Sequence, residues 1–291
     1  MWQAYQQIEH EENLAASMAI ELKCKIDYLS LARELVKPVR DAGQAILDIY
    51  HQGASVQIKG DGSPVTTADL ASEAILLPAI SVAAPSIQIV SEENATSHGF
   101  AVTDRFFLVD PLDGTKEFLK TDNKGAFTVN IGLVEGGVPV MGIVYAPALD
   151  RFFFGAQDVG AFEMLGNVCR KIKIRKPPAD GWTAVASVSH RDKATNDWLQ
   201  AQGIRNTVAI GSSLKFCLIA AGEADVYPRY GPTMEWDTAA ADAILRAAGG
   251  SVLTADGQAL SYGKPGYRNT SFFAFGSESA ALLQKKLPDD Y

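Results

Sequence analysis

The longest regular pattern lies between Tyr28 and Tyr50, where Ala32, Leu35, Val36, Val39, Ala42, Ile46 and Ile49 recur at helical spacing. That periodicity predicts one amphipathic helix. Pro38 falls within it and predicts a kink or a first-turn position. The next stretch, "QGASVQIKGDGSPVTTADLASE", is rich in Gly and Asp and reads as a loop, with a second helix from about Asp69. From Ile87 to Phe154 the chain changes character, and "IQIVSEE", "RFFLVD", "FTVNIGLV", "VPVMGIVYAP" and "RFFF" read as strands. The alternation in "TVNIGLV" and the Gly136-Gly137 break before Val138 predict a hairpin.

Beyond "RKPPADG" (175–181), short strands in "AVASVSH" and "NTVAI" alternate with helical segments in "SLKFCLIAAGEA" and "DTAAADAILRAAGG". Strands and helices mixed in both halves predict a layered α/β or α+β architecture. The expected organisation is an extension over 1–27, a first lobe over 28–178 and a second over 179–291. The extension is polar and acidic, and Met18 within it is a candidate native start that an intact mass would check.

Composition narrows this further. With 291 residues, 47% hydrophobic and 21% charged, the chain is long enough for a large core in one domain or two lobes. A formal net charge of −8 disfavours nonspecific nucleic-acid binding, which needs a basic surface. It leaves room for a small anionic substrate in a locally positive pocket. Cys24, Cys169 and Cys217 form no C-x-x-C pair and argue for a reducing compartment. The scattered His10, His51, His98 and His190 make no metal box. No apolar run is long enough to span a membrane, and the cytosol is the expected location.

Four stretches set acids beside predicted strand ends or helix starts: "TTADLASE" with Asp69, "IVSEEN" with Glu92 and Glu93, "LVDPLDGT" with Asp110 and Asp113, and "MEWDTAAA" with Asp237. Singly, each has an ordinary structural role open to it. Asp69 and Asp237 suit helix N-termini, Glu92 and Glu93 a strand end in water, and Asp113-Gly114 a turn. Asp110 differs, because it ends the apolar run "FFLV". Pro111 fixes a bend that turns Asp113 back toward the same strand end. Mg²⁺ takes oxygen ligands, usually a few carboxylates with phosphate and water, and the Leu112 carbonyl is a further oxygen in reach. Gly114 and Thr115 open a segment whose N–H groups suit a phosphate. A phospho-acceptor aspartate of the D-x-D-G-T kind needs its second acid two residues on; here the separation is three, so that reading is the weaker.

"LVDPLDGTKEF" paired with the distant "EWDTAAADAILRAAGG" resembles the lithium-sensitive, magnesium-dependent phosphatases of the inositol monophosphatase superfamily. "DGSPVTTAD", "FTVNIGLV" and "GSSLKFCLIAAGEADVYPRYGPT" are similar to its 3'(2'),5'-bisphosphate nucleotidase branch, and the likeness runs from about residue 28 to about 276. The resemblance implies an αβαβα layered fold. It implies that Glu92, Asp110, Asp113, Asp237 and the Leu112 carbonyl hold about two or three Mg²⁺ ions. Asp69 and Thr115, with Glu92 beside them, would orient and deprotonate the attacking water. Li⁺ is the implied inhibitor. Some relatives sit peripherally at the inner membrane, which nothing in this sequence predicts.

Ser212 and Lys215 stand at i, i+3 near a predicted helix start, and Arg229 in "VYPRYGPT" suits paired hydrogen bonds to phosphate. Lys215 and Arg229 would also fit a solvated surface. With the resemblance, Ser212, Lys215 and Arg229 become substrate ligands beside Gly114, Thr115 and Asp237, and His190 a nucleotide contact. Glu235, two residues before Asp237, is a weaker candidate for a substrate hydroxyl. The implied substrate is adenosine 3',5'-bisphosphate, a by-product of sulfate assimilation, losing its 3'-phosphate to leave AMP. An inositol- or sugar-phosphate phosphatase on the same scaffold, and a non-catalytic nucleotide- or metal-binding protein, are the other readings.

Overall fold

The computed structural model describes residues 26–58, 60, 64–119, 125–166, 168–176, 178–179, 181–186 and 192–277. Asp27 caps helix α1 (Tyr28–Gln52), accepting from the Leu29 and Ser30 N–H groups at 3.1 Å each. It is therefore part of the first helix's cap; residues 1–25 of the expected extension lie outside the described residues. Pro38 sits in the interior of α1 and not in its first turn, and the helix continues past it. The hydrogen bond lost there is offset by a buried face that includes Leu31, Leu35, Val39, Ala42 and Ile46.

The expected loop after α1 contains two short strands, β1 (Val56–Ile58) and β2 (Pro64–Thr66), paired antiparallel. Every residue of β1 is exposed, so the strand has no inside–outside alternation to read. Helix α2 (Thr67–Ala83) follows, with Thr66 and Asp69 forming a capping box. The chain then runs through β3 (Gln88–Ser91), β4 (Arg105–Asp113), the short helix α3 (Thr115–Phe118), β5 (Thr128–Glu135) and β6 (Val138–Ala146). Strands β7 (Arg151–Ala156), β8 (Gly160–Leu165) and β9 (Val168–Ile172) complete a seven-stranded sheet in chain order, parallel only between β3 and β4. The expected hairpin joins β5 to β6, with Gly136 and Gly137 at φ +55° and +78°.

The second half comprises β10 (Thr183–Ala186), α4 (Lys193–Ala201), β11 (Asn206–Ala209), α5 (Leu214–Ala220), β12 (Val226–Arg229) and β13 (Thr233–Met234). Helix α6 (Ala239–Ala247), β14 (Ser251–Thr254), β15 (Arg268–Asn269) and β16 (Phe272–Phe275) follow. A five-stranded sheet forms in the order β11-β10-β12-β16-β14, while β13 and β15 pair separately.

Helices α1 and α2 cover one face of the large sheet, sharing a buried cluster with Phe107, Val129, Ile131 and Ile143. On its other face, α5 and α6 lie between the two sheets around Phe153, Phe216, Leu245 and Phe272. Helix α4 covers the small sheet through Trp198, whose ring centroid lies 5.1 Å from that of Phe273. These are the five αβαβα layers expected from the resemblance. Each fully buried large side chain contributes roughly 1.5–3 kcal/mol to holding them together.

One contact fixes the middle layer closely. Gly132, Gly142 and Gly155 lie side by side across β5, β6 and β7. A Cβ on Gly142 would collide with the Ala240 carbonyl, and one on Gly132 would come within 2.7 Å of the Ala240 nitrogen. Alanine-rich α6 therefore rests directly on the sheet, and Asp237, just before it, is delivered to the ends of β4 and β5.

Candidate active site

The three-residue spacing of Asp110 and Asp113 is accommodated by a break in register. Asp110 faces Asn130 on β5 and Asp113 faces Thr128, so three steps on β4 match two on its partner. This is a β-bulge, which inserts one residue and bends the strand. Asn130 and Thr128 share a face, since the Ser213 hydroxyl is 2.6 Å from Asn130 Oδ1 and 2.9 Å from Thr128 Oγ1. The bulge brings Asp113 back to the face of Asp110, and the extra residue that weakens a phospho-acceptor reading here makes a two-acid site.

Oxygen atoms of Glu92, Asp110 and Asp237 lie within 4.8 Å of one another. Asp113 lines the same pocket, and its Oδ2 accepts the Ser213 N–H at 2.5 Å. Burial first, then repulsion from Glu92, Asp113, Asp237 and Asp69, raises the Asp110 carboxyl well above its ordinary range. Burial and the charges of Asp113 and Glu92 do the same to Asp237. Asp113 is pushed up to about 6, mainly by burial, against the opposing pull of Lys215 and the Ser213 N–H. The Leu112 carbonyl opens on the same pocket, 3.4 Å from the Thr115 hydroxyl. Such a set fits a hard divalent cation, because the donors are all oxygen and the clustered negative charge is buried.

Asp69 is held by its capping box. Its Oδ2 accepts from the Thr66 N–H at 2.8 Å and the Thr66 hydroxyl at 2.6 Å, while Oδ1 lies 3.4 Å from the Thr115 hydroxyl. Burial raises the Asp69 carboxyl despite those two bonds. Two basic residues, Lys215 and Arg229, line the same pocket. Lys215, 5% exposed, donates to the Ser212 carbonyl at 2.5 Å and sits 5.2 Å over the Tyr227 ring. Arg229 is steadied by the carbonyls of Gly231 and Pro232 at 3.1 and 3.0 Å. Ser212 has φ +53°, a left-handed backbone uncommon for serine. That turn presents the Ser213 N–H to Asp113.

The profile of the inositol monophosphatase family matches residues 27–288. The chain belongs to this family. Enzymes of the inositol monophosphatase family are metal-dependent, and the acidic cluster is a site where a metal could be held. The 3'(2'),5'-bisphosphate nucleotidase CysQ of Salmonella typhimurium is 41% identical over 253 residues, covering 83% of this chain and all of that protein. Its namesake from Escherichia coli K12 is 42% identical, covering 77% of this chain and 90% of the relative. Among solved structures, CysQ from Bacteroides thetaiotaomicron, a bacterial member of the same family, superposes with a TM-score of 0.71 at 36% identity, covering 85% and 97% of the two chains. The Thermotoga maritima IMPase TM1415 shares the fold, with a TM-score of 0.72 at 22% identity, covering 89% and 96%.

Seen as a member of the inositol monophosphatase family, the chain brings Glu92, Asp110, Leu112, Asp113, Gly114, Thr115, Ser212, Lys215, Arg229 and Asp237 to one pocket. Asp69 joins them through Thr115. His190 lies outside the described residues. Glu235 is a correction: it is fully buried and accepts from the Gly263 and Lys264 N–H groups at 2.7 and 2.9 Å, with the Lys264 ammonium also at 2.7 Å. It pins the 263–264 loop and has no face left for a substrate hydroxyl. Ser213, which sequence reading missed, grips Asp113 across a separation of 100 residues. The adjacent serines of "GSSLKFC" were its only sequence signal.

Proposed function

We propose that this chain is a Mg²⁺-dependent phosphatase that removes the 3'-phosphate of adenosine 3',5'-bisphosphate, giving AMP and phosphate. The observation that carries the reading is one pocket lined by the acidic cluster, by the buried Lys215 and by the half-buried Arg229. A substrate with two phosphates matches a pocket that offers both an acidic cluster fit for a metal ion and two cationic side chains. The names of the relatives at 41–42% identity point the same way. We read 28–178 as the lobe supplying most of the acids and 179–291 as the lobe supplying Asp237 and the substrate wall. Among the described residues no helix is long and apolar enough to cross a membrane, in keeping with a cytosolic enzyme.

Glu92, Asp110, Asp113, Asp237 and the Leu112 carbonyl would hold the ions. Bound there, Mg²⁺ supplies charge neutralisation for the transferred phosphoryl group and a lowered pKa for the attacking water. The chain's own residues do the rest. Thr115 Oγ1 accepts a hydrogen bond from the water and donates to Asp69 Oδ1, so the water's proton has a path to a carboxylate. Burial raises the proton affinity of the Asp69 carboxylate, which makes it a stronger base than a solvated aspartate. Thr66 occupies Oδ2, leaving Oδ1 for this task. Water oxygen bonds to phosphorus as the P–O3' bond breaks; one proton of the attacking water passes to Asp69, and the departing 3'-oxygen takes a proton from solvent water to become the AMP hydroxyl. Gly114, Thr115, Ser212 and the basic pair orient the substrate, with Asp237 beside them. His190 belongs to the same proposed substrate set.

Phosphate release from adenosine 3',5'-bisphosphate, adenosine 3'-monophosphate and inositol 1-phosphate, with Mg²⁺ and with added Li⁺, tests this. The bisphosphate should lead in kcat/KM by about tenfold or more, equivalent to about 1.4 kcal/mol, and Li⁺ should inhibit. A preference for inositol 1-phosphate would overturn the substrate assignment. No release from any ester at saturating Mg²⁺ would overturn the enzyme itself.

A further inference from the structure

The residue before Glu92 is held more tightly than its neighbours. Ser91 is fully buried, and its hydroxyl, N–H and carbonyl are all engaged. Its hydroxyl donates to Glu73 Oε1 on α2 at 2.5 Å, and its N–H donates to the Ser97 hydroxyl at 3.1 Å. Its carbonyl lies 2.8 Å from His98 Nε2, which must carry the proton because a carbonyl only accepts; the same oxygen also accepts from the Asn94 N–H at 3.2 Å. Glu92 is then drawn onto β4 through its own N–H, 3.0 Å from the Val109 carbonyl.

His98 also reaches the other side of the cluster. Its ring stacks on Trp236, with centroids 4.8 Å apart and planes at 20°. Trp236 is 5% exposed and lies between the buried anchor Glu235 and Asp237. One imidazole thus ties the strand end before Glu92 to the turn before Asp237. These two acids come from segments about 145 residues apart and repel each other. Something other than their own interaction must hold them within reach of one ion.

We propose that Glu73 and His98 are positioning residues that set Glu92 against Asp237 before any cation binds. This rests on the metal-site reading above. Glu73 acts by accepting one hydrogen bond; His98 acts by one hydrogen bond and one stacked face. Neither is among the residues that line the pocket. Removing a group bonded directly to a metal ligand typically costs about 10–100-fold in metal affinity; Glu73 and His98 act one residue away, through Ser91 and Trp236, so the lower end of that range applies.

Isothermal titration of nucleotide-free protein with Mg²⁺ and Mn²⁺ tests the proposal on wild type, Glu73→Leu, Glu73→Gln, Ser91→Ala and His98→Phe. Glutamine keeps an acceptor for Ser91, and phenylalanine keeps the stack but not the donor. Glu73→Leu, Ser91→Ala and His98→Phe should each weaken metal binding by roughly tenfold, and Glu73→Gln by about twofold at most. Glu73→Leu with Ser91→Ala should be no worse than either alone, since both remove one bond. At saturating metal the KM for nucleotide should be unchanged. Affinities within about twofold of wild type in the leucine, alanine and phenylalanine variants would overturn the proposal, as would an equal loss in Glu73→Gln, which would mark a charge effect. Should His98→Phe not fold, Ser91→Ala and the two Glu73 variants decide. Failure of wild type to bind either metal would instead overturn the metal site.

Discussion

In the proposed reading, the surroundings of Lys215 set substrate choice. Its ammonium is buried, and burial lowers its pKa to about 8, with Asp113 pulling the other way. Holding a phosphate requires the protonated form, which predominates below that value and is lost as pH rises through it. Binding of a substrate's second phosphate should therefore weaken between pH 7 and 9, while a monophosphate lacking that group should be indifferent. A charge-assisted bond of this kind contributes about 1.5–3 kcal/mol. Lys215→Ala should accordingly raise KM for adenosine 3',5'-bisphosphate by roughly 10–100-fold, and KM for adenosine 3'-monophosphate by about twofold at most. It should also remove the pH trend. Steady-state kinetics on both substrates at several pH values would show it, and equal changes in both KM values would refute the role.

At the scale of elements, the site depends on how closely α6 lies against the large sheet. Any side chain at Gly142 would meet the Ala240 carbonyl, and overpacking of that kind costs about 1–3 kcal/mol. Gly142→Ala should lower the unfolding free energy by that amount, read as a drop in the urea midpoint, and reduce turnover, because Asp237 moves with the helix it precedes. Gly99→Ala, where a Cβ meets nothing within 4 Å, should stay within about 0.5 kcal/mol of wild type. A stable, fully active Gly142→Ala protein would contradict this placement of Asp237. The glycines themselves were visible in "NIGLV" and "VMGIV" but not their alignment, which depends on strand register. The same limit explains the other misses. "DPLD" announced two acids, yet only pairing with β5 shows that the additional residue is a bulge returning both to one face. Ser213 and Glu73 act on partners in other elements, and no local pattern points across 100 residues or from a helix to a strand end. Helix α1 and the β5–β6 hairpin were legible because their signals are local, a 3.6-residue stripe and a Gly-Gly turn.

For the molecule as a whole, the acidic cluster opposes folding when no cation is bound. Asp69, Asp110, Asp113 and Asp237 all have folded pKa values above their ordinary ones, with Asp113 at about 6. An unfolded aspartate titrates near ~3.9, so between that value and the folded one the native state binds more protons than the unfolded chain. Stability must then fall as pH rises through this window, and the deficit is fully present above the folded values. A cation that binds only the native cluster reverses it, adding about 2.7 kcal/mol at 100 times its Kd. Chelated protein should therefore melt at lower temperature at pH 7.5 than at pH 5. Mg²⁺ should raise Tm by several degrees at pH 7.5 and by little at pH 5, where protons compete for the same oxygens. Asp110→Asn removes one of the repelling charges together with a ligand. It should flatten the pH dependence of the chelated protein, abolish the Mg²⁺ shift and abolish turnover, which excess Mg²⁺ should not fully restore. Scanning calorimetry across that grid separates a cluster built for a cation from one that is merely acidic: an unchanged Tm on adding Mg²⁺ at pH 7.5 would mean that the fold tolerates this repulsion for some other reason.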